Sequence, residues 1–110
     1  MPAYNAGHTL RRTYEGVMQQ GIVDLVIVVD DDSQDETVSI AKTLPKVLVY
    51  THARNQGYGA NQKSCYKLAL EKNGDIIIMV HPDYQYTPKL ITAMASMIAY
   101  GVYDVVLGSR

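Results

Sequence analysis

The stretch Leu25-Val26-Ile27-Val28-Val29 runs directly into three acids, Asp30-Asp31-Asp32. A short, uninterrupted apolar run rich in β-branched residues favours a strand that is covered on both faces, as in parallel sheets. Ligands of open α/β sheets bind beyond the carboxyl ends of the strands. The three acids are therefore predicted to lie at a ligand-binding edge of a parallel sheet.

Three further apolar runs, at residues 47–50, 76–80 and 105–107, predict three more strands. Segments with helical periodicity alternate with them. Ser33 is predicted to cap the second helix, and Thr87 with Pro88 the fourth. One face of the third helix is predicted to pack through these residues: Cys65, Tyr66, Ala69 and Leu70. The alternation predicts an α/β fold with an open, mainly parallel sheet and helices on both faces.

The chain of 110 residues is long enough for one domain with a single core, so residues 1–110 are treated as one domain. Residues 1–5 have the pattern of a turn that leaves a strand, although no strand precedes them. A parallel sheet without that strand would leave backbone groups unpaired. We therefore expect a first strand and a carboxyl-terminal half beyond Arg110 to be missing. The alternative is a small complete domain that begins at a helix.

Composition excludes several classes of partner. The formal net charge of −1 and scattered lysines and arginines give no electrostatic basis for binding nucleic acid or an anionic membrane. The single cysteine, Cys65, excludes an internal disulfide and fits no zinc spacing. No apolar run approaches the length of a signal peptide core or a membrane span. We expect a cytoplasmic protein, with the inner face of a membrane as an open alternative for the parent protein.

The acids after the first predicted strand are candidates for ligand contact. Asp30 and Asp31 directly follow the strand, so either carboxylate could accept a hydrogen bond from a base N–H or a ribose hydroxyl. The alternative is that these acids are solvated or cap the following helix. Both interpretations apply to a cluster of three acids, and the sequence leaves the choice open.

A glycine-bearing segment follows the second predicted strand. Gly57 and Gly59 precede a helix, where a close backbone approach and the helix dipole favour a phosphate. The alternative is a flexible loop with an N-cap. Arg54 and Lys63 are either phosphate partners or surface cations. Gln62 stands where a dinucleotide fingerprint has its third glycine, which argues against a nicotinamide-binding domain.

The segment His81-Pro82-Asp83-Tyr84-Gln85 follows the third predicted strand. Asp83 is a candidate ligand for a hard divalent cation, which prefers carboxylate oxygens and shares its other positions with phosphate and water. His81 is a softer ligand that suits Mn²⁺ better than Mg²⁺. The alternative for His81 is a turn histidine bonded to the backbone.

Taken in order along the chain, these segments resemble the family 2 glycosyltransferases of the GT-A fold, in particular the dolichol-phosphate-mannose-synthase-like members. Residues 28–35, V-V-D-D-D-S-Q-D, resemble the pattern V-V-D-D-G-S-x-D, with Asp32 in place of its glycine. Residues 81–85, H-P-D-Y-Q, resemble D-x-D-x-Q, with His81 in place of its first acid. The resemblance also covers these segments: Pro2-Ala3-Tyr4-Asn5, Asn55-x-Gly57-x-Gly59 and residues 104–110, which resemble a strand that ends in G-S-R.

The resemblance implies a set of roles. Pro2, Tyr4 and Asn5 would lie in the turn that holds the nucleotide base, with Tyr4 and Asp30 or Asp31 touching base and ribose. Gly57, Gly59 and Lys63 would lie at the donor phosphates. Asp83 would bind Mg²⁺ or Mn²⁺, with Gln85 supporting and His81 a third candidate ligand.

The implied reaction is a metal-assisted, inverting transfer of a hexose from a UDP- or GDP-linked donor to an acceptor, which could be lipid-linked or a polysaccharide. This chain would supply the donor-binding half, and no catalytic residue lies within it, because the general base is expected beyond Arg110.

Two alternatives belong to other classes. The chain could be a non-catalytic module that binds nucleotide or forms homo-oligomers through an unpaired sheet edge. A receiver-type signalling domain also has acids at strand ends, but it needs a lysine at the end of a later strand. Gly108-Ser109-Arg110 supplies none.

Overall fold

The computed structural model describes residues 1–109, and its sheet is built around the apolar run that precedes the three acids. Three parallel strands lie in the order β1–β2–β3. The elements along the chain are β1 (Pro2–Ala3), α1 (Leu10–Met18), β2 (Val26–Asp30), α2 (Thr37–Lys42), β3 (Val47–Thr51), α3 (Tyr58–Glu71), a 3₁₀ turn (Pro88–Leu90) and α4 (Ile91–Ala99). The predicted α/β class is confirmed.

The central strand β2 is covered on both faces because its side chains alternate between two helical layers. Val26 and Val28 belong to the same buried cluster as Leu10 of α1 and Ala41 of α2. The opposite face of β2 lies against α3, whose buried Asn61 donates to the carbonyl of Val29. All three strands run parallel, so their carboxyl ends meet at one edge of the sheet, which is the edge that carries the acids.

Two predicted strands do not form. Residues 76–80 and 105–107 belong to no ladder in the described part of the chain. A strand exists only where a neighbour supplies hydrogen bonds, and β1 contributes two residues, Pro2 and Ala3, to the sheet. Residues 76–80 are therefore half-buried without a paired partner, and Leu107 is 87% exposed. The prediction of strands at residues 76–80 and 105–107 is therefore wrong, although both runs are apolar.

One of the two predicted helix caps is confirmed. Thr87 caps the 3₁₀ turn by accepting the N–H of Lys89, as predicted. Ser33 does not cap α2, because its hydroxyl accepts the N–H of Asn5 instead. Asp32 adopts a φ of 64°, the left-handed region that glycine or aspartate enters most readily. This conformation accounts for an aspartate at the position where the resembling pattern has glycine.

The longest helix, α3, buries less than its sequence predicted. Cys65 is buried, but Tyr66 is 44% and Leu70 63% exposed. Polar Asn61 is the other buried residue of α3, and it lies one helical turn before Cys65. Among residues 1–109, no helix combines the length and the apolar character that crossing a bilayer demands.

Candidate functional site

A cavity of about 420 Å³ opens at the carboxyl edge of the sheet. Its wall combines four segments that are distant in sequence: β1 with the turn after it, Asp31 after β2, the loop before α3 with the first turn of that helix, and residues 81–83. The lining residues are Pro2, Ala3, Tyr4, Ala6, Asp31, Asn55, Gly57, Tyr58, Asn61, His81, Pro82 and Asp83. The fold thus brings these segments together at one concave surface beside the carboxyl edge of the sheet, where ligands of α/β folds bind.

Asp31 connects β2 to the loop before α3. Its Oδ1 accepts the N–H of Gln56 at 2.9 Å, and its Oδ2 accepts the N–H of Gly57 at 2.9 Å. The backbone carbonyl of Asp31 also accepts the amide of Asn55 at 3.1 Å. The side chain is almost completely buried. The carboxylate of Asp31 therefore accepts the loop N–H groups that could otherwise bind an external anion. These bonds fix the conformation of the loop.

Hydrogen bonding decides the charge state of Asp31. Burial alone raises the pKa of this carboxyl, since a low dielectric disfavours the ionised form. The hydrogen bonds from His52, Gln56 and Gly57 outweigh burial and hold the pKa below its ordinary value of 3.8. Asp31 is consequently an anion at neutral pH, and its charge is balanced by donors rather than by solvent.

His52 extends this network to α3. Its Nδ1 lies 2.7 Å from Oδ1 of Asp31, and its Nε2 lies 2.9 Å from Oγ of Ser64. The carboxylate has no proton, so Nδ1 donates and Nε2 accepts from the serine when the ring is neutral. The order Asp–His–Ser resembles a hydrolase triad, but neither His52 nor Ser64 lines the cavity. We therefore assign the network a positioning role for the loop.

Replacing His52 by alanine should destabilise the protein by about 2 kcal/mol, because a charge-assisted hydrogen bond to a buried acid is lost. The measurement is urea-induced unfolding. His8→Ala is the matched control, since His8 is exposed. Equal midpoints for the two variants would contradict the positioning role.

The turn after β1 is tied to the acid-rich loop after β2. Asn5 donates its N–H to Ser33 Oγ at 2.8 Å, and its Oδ1 accepts the N–H of Gln34 at 2.9 Å. The N–H of Gly7 donates to Asp35 at 2.9 Å. Together these bonds hold Tyr4 at the cavity, with 54% of its surface exposed. An exposed aromatic ring beside a cavity is a surface on which a base or sugar could stack.

The other wall of the cavity is an aromatic cluster around His81. The hydroxyl of Tyr58 lies 3.1 Å from His81 Nε2, and the two rings meet edge to face at 5.3 Å. Tyr86 packs on His81 in the same manner at 5.8 Å. Gln62 donates to the Tyr58 hydroxyl at 2.6 Å. His81 is thus bonded to a side chain, whereas the sequence alternative placed it against the backbone.

The structure brings six of the predicted site residues to the cavity and leaves five outside its lining. The six are Pro2, Tyr4, Asp31, Gly57, His81 and Asp83, and the five are Asn5, Asp30, Gly59, Lys63 and Gln85. Between the two candidate acids after β2, the geometry favours Asp31 for proximity to a ligand. Asp30 is fully buried and accepts the N–H of Ser33, while its Oδ1 has no hydrogen-bond partner.

Asp83 is the candidate ligand for a divalent cation, which binds several oxygen atoms at once. Among the described residues, no group of three or more His, Cys, Asp or Glu is placed to hold a metal ion. Asp83 is exposed and supplies the one carboxylate of its segment, with Oδ1 accepting the N–H of Gln85 at 3.0 Å. Asp83 thus offers one carboxylate, and a cation held there would need its other ligands from phosphate and water.

Sequence reasoning assigned no role to His52, Tyr58 or Asn61. Tyr58 and Asn61 line the cavity, and Asn61 also donates to the carbonyl of Val29 at 3.0 Å. Tyr58 and Asn61 flank Gly59 at the start of α3, so their position beside a predicted phosphate loop was an available signal. His52 had a weaker signal, namely that it directly follows a strand at the ligand edge.

Comparison with known proteins gives consistent matches. The chain is 34% identical over its whole length to an uncharacterised protein of Methanocaldococcus jannaschii, covering 44% of that protein. It is 29% identical over its whole length to a UDP-N-acetylglucosamine–dolichyl-phosphate N-acetylglucosaminyltransferase of Methanococcus voltae, covering 50% of it. It is also 29% identical to a dolichol-phosphate mannosyltransferase of Pyrococcus furiosus, of which it covers 32%. The chain thus spans half or less of the length of these relatives.

The family assignment rests on the whole chain. The model of glycosyl transferase family 2 matches residues 1–110, which include every segment of the cavity wall. The receiver-domain alternative is thereby set aside. The order of the motifs, the parallel sheet and the match together show that this chain belongs to glycosyl transferase family 2.

Proposed function

We propose that this chain binds the nucleoside diphosphate sugar in an enzyme that transfers a hexose to an acceptor with inversion at the anomeric carbon. The observation that carries the proposal is the cavity at the carboxyl edge, where Tyr4, Asp31 and Asp83 line one concave surface. Family membership supports sugar transfer, and the names of two relatives include glycosyl transfer to dolichyl phosphate.

The two walls of the cavity suit the two ends of such a donor. Tyr4 offers an exposed ring on which a base could stack, and Asn61 and Asn55 line the wall with amide groups. Asp83 lies on the opposite wall beside His81. We place the base near Tyr4, where it could stack on the ring. We place the diphosphate near Asp83, because a cation bound to this carboxylate would offset its repulsion of the diphosphate.

Mg²⁺ or Mn²⁺ bound at Asp83 would neutralise the charge that develops on the leaving diphosphate. The residues of this chain would bind and orient: Asp31 fixes the loop of Gly57, and Tyr58 holds the ring of His81 beside the cavity. We assign no proton transfer to this chain. The general base that activates the acceptor is placed beyond Arg110, so the chain alone should bind donor weakly and transfer nothing.

The acceptor we favour is a lipid-linked phosphate, which would place the enzyme at the cytoplasmic face of a membrane. This choice follows the printed names of the Methanococcus voltae and Pyrococcus furiosus relatives. Homo-oligomerisation through the open edge of β3 stays a prediction, and light scattering of the purified chain at several concentrations would check it.

Replacing Asp83 by asparagine should abolish the part of nucleotide binding that depends on metal. We expect Mn²⁺ to tighten binding of UDP or GDP to the unmodified chain by at least about tenfold, and to have no such effect on Asp83→Asn. The measurement is calorimetry with each nucleotide, with and without Mn²⁺. Asp104→Asn is the control, because Asp104 is an exposed acid outside the cavity. A Mn²⁺ effect that survives in Asp83→Asn would refute the assignment.

A further inference from the structure

His81 lies near Asp83 in the wall of the cavity, but one of its ring nitrogens is already engaged. Its Nε2 lies 3.1 Å from the hydroxyl of Tyr58, and all three residues line the same cavity. Tyr58 is the first residue of α3 and precedes His81 by 23 positions. The histidine that could add a nitrogen ligand to a cation at Asp83 is therefore bonded to a side chain from a different element.

Gln62 decides the direction of this hydrogen bond. It lies one helical turn after Tyr58, and its side-chain amide donates to the Tyr58 hydroxyl oxygen at 2.6 Å. A phenol oxygen that accepts from an amide still has its own hydrogen to donate, and we assign that hydrogen to Nε2 of His81. Nε2 then accepts, and the proton of the neutral ring is on Nδ1. In this arrangement neither nitrogen of His81 offers a lone pair to a metal ion.

Packing supports this position of the His81 ring. The ring of Tyr58 meets it edge to face at 5.3 Å, and the ring of Tyr86 meets it edge to face at 5.8 Å. These contacts oppose the rotation that would exchange the two nitrogens. The buried Pro82 follows directly and restricts the backbone of His81. The bond between Tyr58 and His81 is thus held by contacts on both sides of the imidazole.

The protein ligand that remains for a cation in this wall is an oxygen. Among residues 1–109, no group of three or more His, Cys, Asp or Glu could hold a metal ion, so phosphate and water would complete the coordination that Asp83 begins. Mg²⁺ prefers such a set of oxygens, whereas Ni²⁺ gains more from an imidazole nitrogen. A free Nε2 at His81 would therefore shift the preference of the site toward softer ions.

We propose that Tyr58 is a specificity-determining residue, which keeps Nε2 of His81 away from the cation that accompanies the nucleoside diphosphate and so favours Mg²⁺ over softer divalent ions. The inference rests on the proposed function, because it concerns a cation held at Asp83. Tyr58 acts through His81, and Gln62 supports it by accepting no proton and leaving the Tyr58 hydrogen to the imidazole.

The test is Tyr58→Phe, which keeps the ring contact with His81 and removes the hydroxyl of an exposed side chain. We expect Ni²⁺ to bind the full chain, saturated with UDP or GDP, about tenfold more tightly in this variant, because one hydrogen bond no longer competes for Nε2. The affinity for Mg²⁺ should change by less than about twofold. Calorimetry measures both. Spin-echo spectroscopy of bound Mn²⁺ should show nitrogen coupling in Tyr58→Phe and none from a histidine in the unmodified chain.

Two further variants serve as controls. His81→Phe, added to Tyr58→Phe, keeps an aromatic ring at the position and should remove both the gain for Ni²⁺ and the nitrogen coupling. Tyr66→Phe removes the hydroxyl of another exposed tyrosine of α3, outside the cavity, and should leave the preference between Ni²⁺ and Mg²⁺ unchanged.

The outcomes separate this inference from the proposed function. If Mg²⁺ and Mn²⁺ strengthen nucleotide binding but Tyr58→Phe has the same preference between Ni²⁺ and Mg²⁺ as the unmodified chain, the role of Tyr58 is wrong and the cation site stands. Coupling to a histidine nitrogen in the unmodified chain would also overturn the inference. If no divalent cation changes nucleotide binding in any of the variants, the cation site and the role of Tyr58 are both wrong.

Discussion

Asp31→Ala should destabilise the protein by about 3–5 kcal/mol, because three donors lose their common acceptor at once. The N–H groups of Gln56 and Gly57 and the ring of His52 all point at this one carboxylate. The loss is a large share of the stability of a typical small domain, so this is the most damaging single substitution that we expect in the site. Urea-induced unfolding measures it.

Two further variants separate the role of Asp31 from that of a general acidic surface. Asp31→Asn keeps the shape of the side chain but places an amide donor against existing donors, so it should cost about 2–3 kcal/mol. Asp32→Asn is the matched control, since the nearest side-chain partner of Asp32 is Gln34 at 3.5 Å. A loss in Asp32→Asn as large as that in Asp31→Asn would show that net charge, not the network, stabilises the loop.

The same network predicts a specific dependence on pH. The pKa of Asp31 in the folded protein lies below 3.8, so the unfolded chain takes up the proton first as the pH falls. The carboxylate therefore stabilises the folded protein fully at pH values above the unfolded pKa of 3.8. This stabilisation is lost as the pH falls through the pKa of Asp31 in the folded protein. The gap in unfolding free energy between the unmodified chain and Asp31→Asn should narrow below pH 3.8. A gap of constant size down to the acid transition would contradict this account.

Local patterns in the sequence were enough to predict β2, the alternation of helices with strands and the cap at Thr87. Each depends on residues within one or two turns of each other: an uninterrupted apolar run, a helical period and a hydroxyl before proline. Asp31 and Asp83 line the same cavity. The rule that ligands bind beyond the carboxyl ends of parallel strands accounts for Asp31 after β2, but residues 81–83 follow no paired strand in the described part of the chain.

What could not be predicted depends on partners far away in the sequence. The donors that Asp31 accepts come from residues 21 to 26 positions later, and no spacing rule connects them. Residues 76–80 carry the composition of a strand, but no strand pairs with them in the described part of the chain. Strand propensity describes a side chain on a pleated surface, and a ladder needs a neighbour as well.

Gly57 and Gly59 had the same predicted role at a phosphate, and the structure distinguishes them. Gly57 has a φ of 87° and a ψ of 162°, a region that essentially only glycine occupies. Gly59 lies within α3, and a Cβ at either position would meet no atom within 4 Å. Gly57→Ala should therefore cost about 2–3 kcal/mol through backbone strain alone, whereas Gly59→Ala should leave stability unchanged or raise it by up to about 1 kcal/mol.

The two variants are predicted to change stability in opposite directions, so together they test whether the conformation at Gly57 supports nucleotide binding. Strain at Gly57 would move the N–H that Asp31 accepts, so Gly57→Ala should also weaken UDP or GDP binding at temperatures where the variant is fully folded. Gly59→Ala should bind nucleotide normally, because Gly59 does not line the cavity. Circular dichroism on heating gives the stability and calorimetry the affinity. If Gly59→Ala lost affinity while remaining as stable as the unmodified chain, the phosphate would lie at the first turn of α3. Nucleotide binding would then depend on the amino terminus of α3 and not on the loop at Gly57 that Asp31 holds.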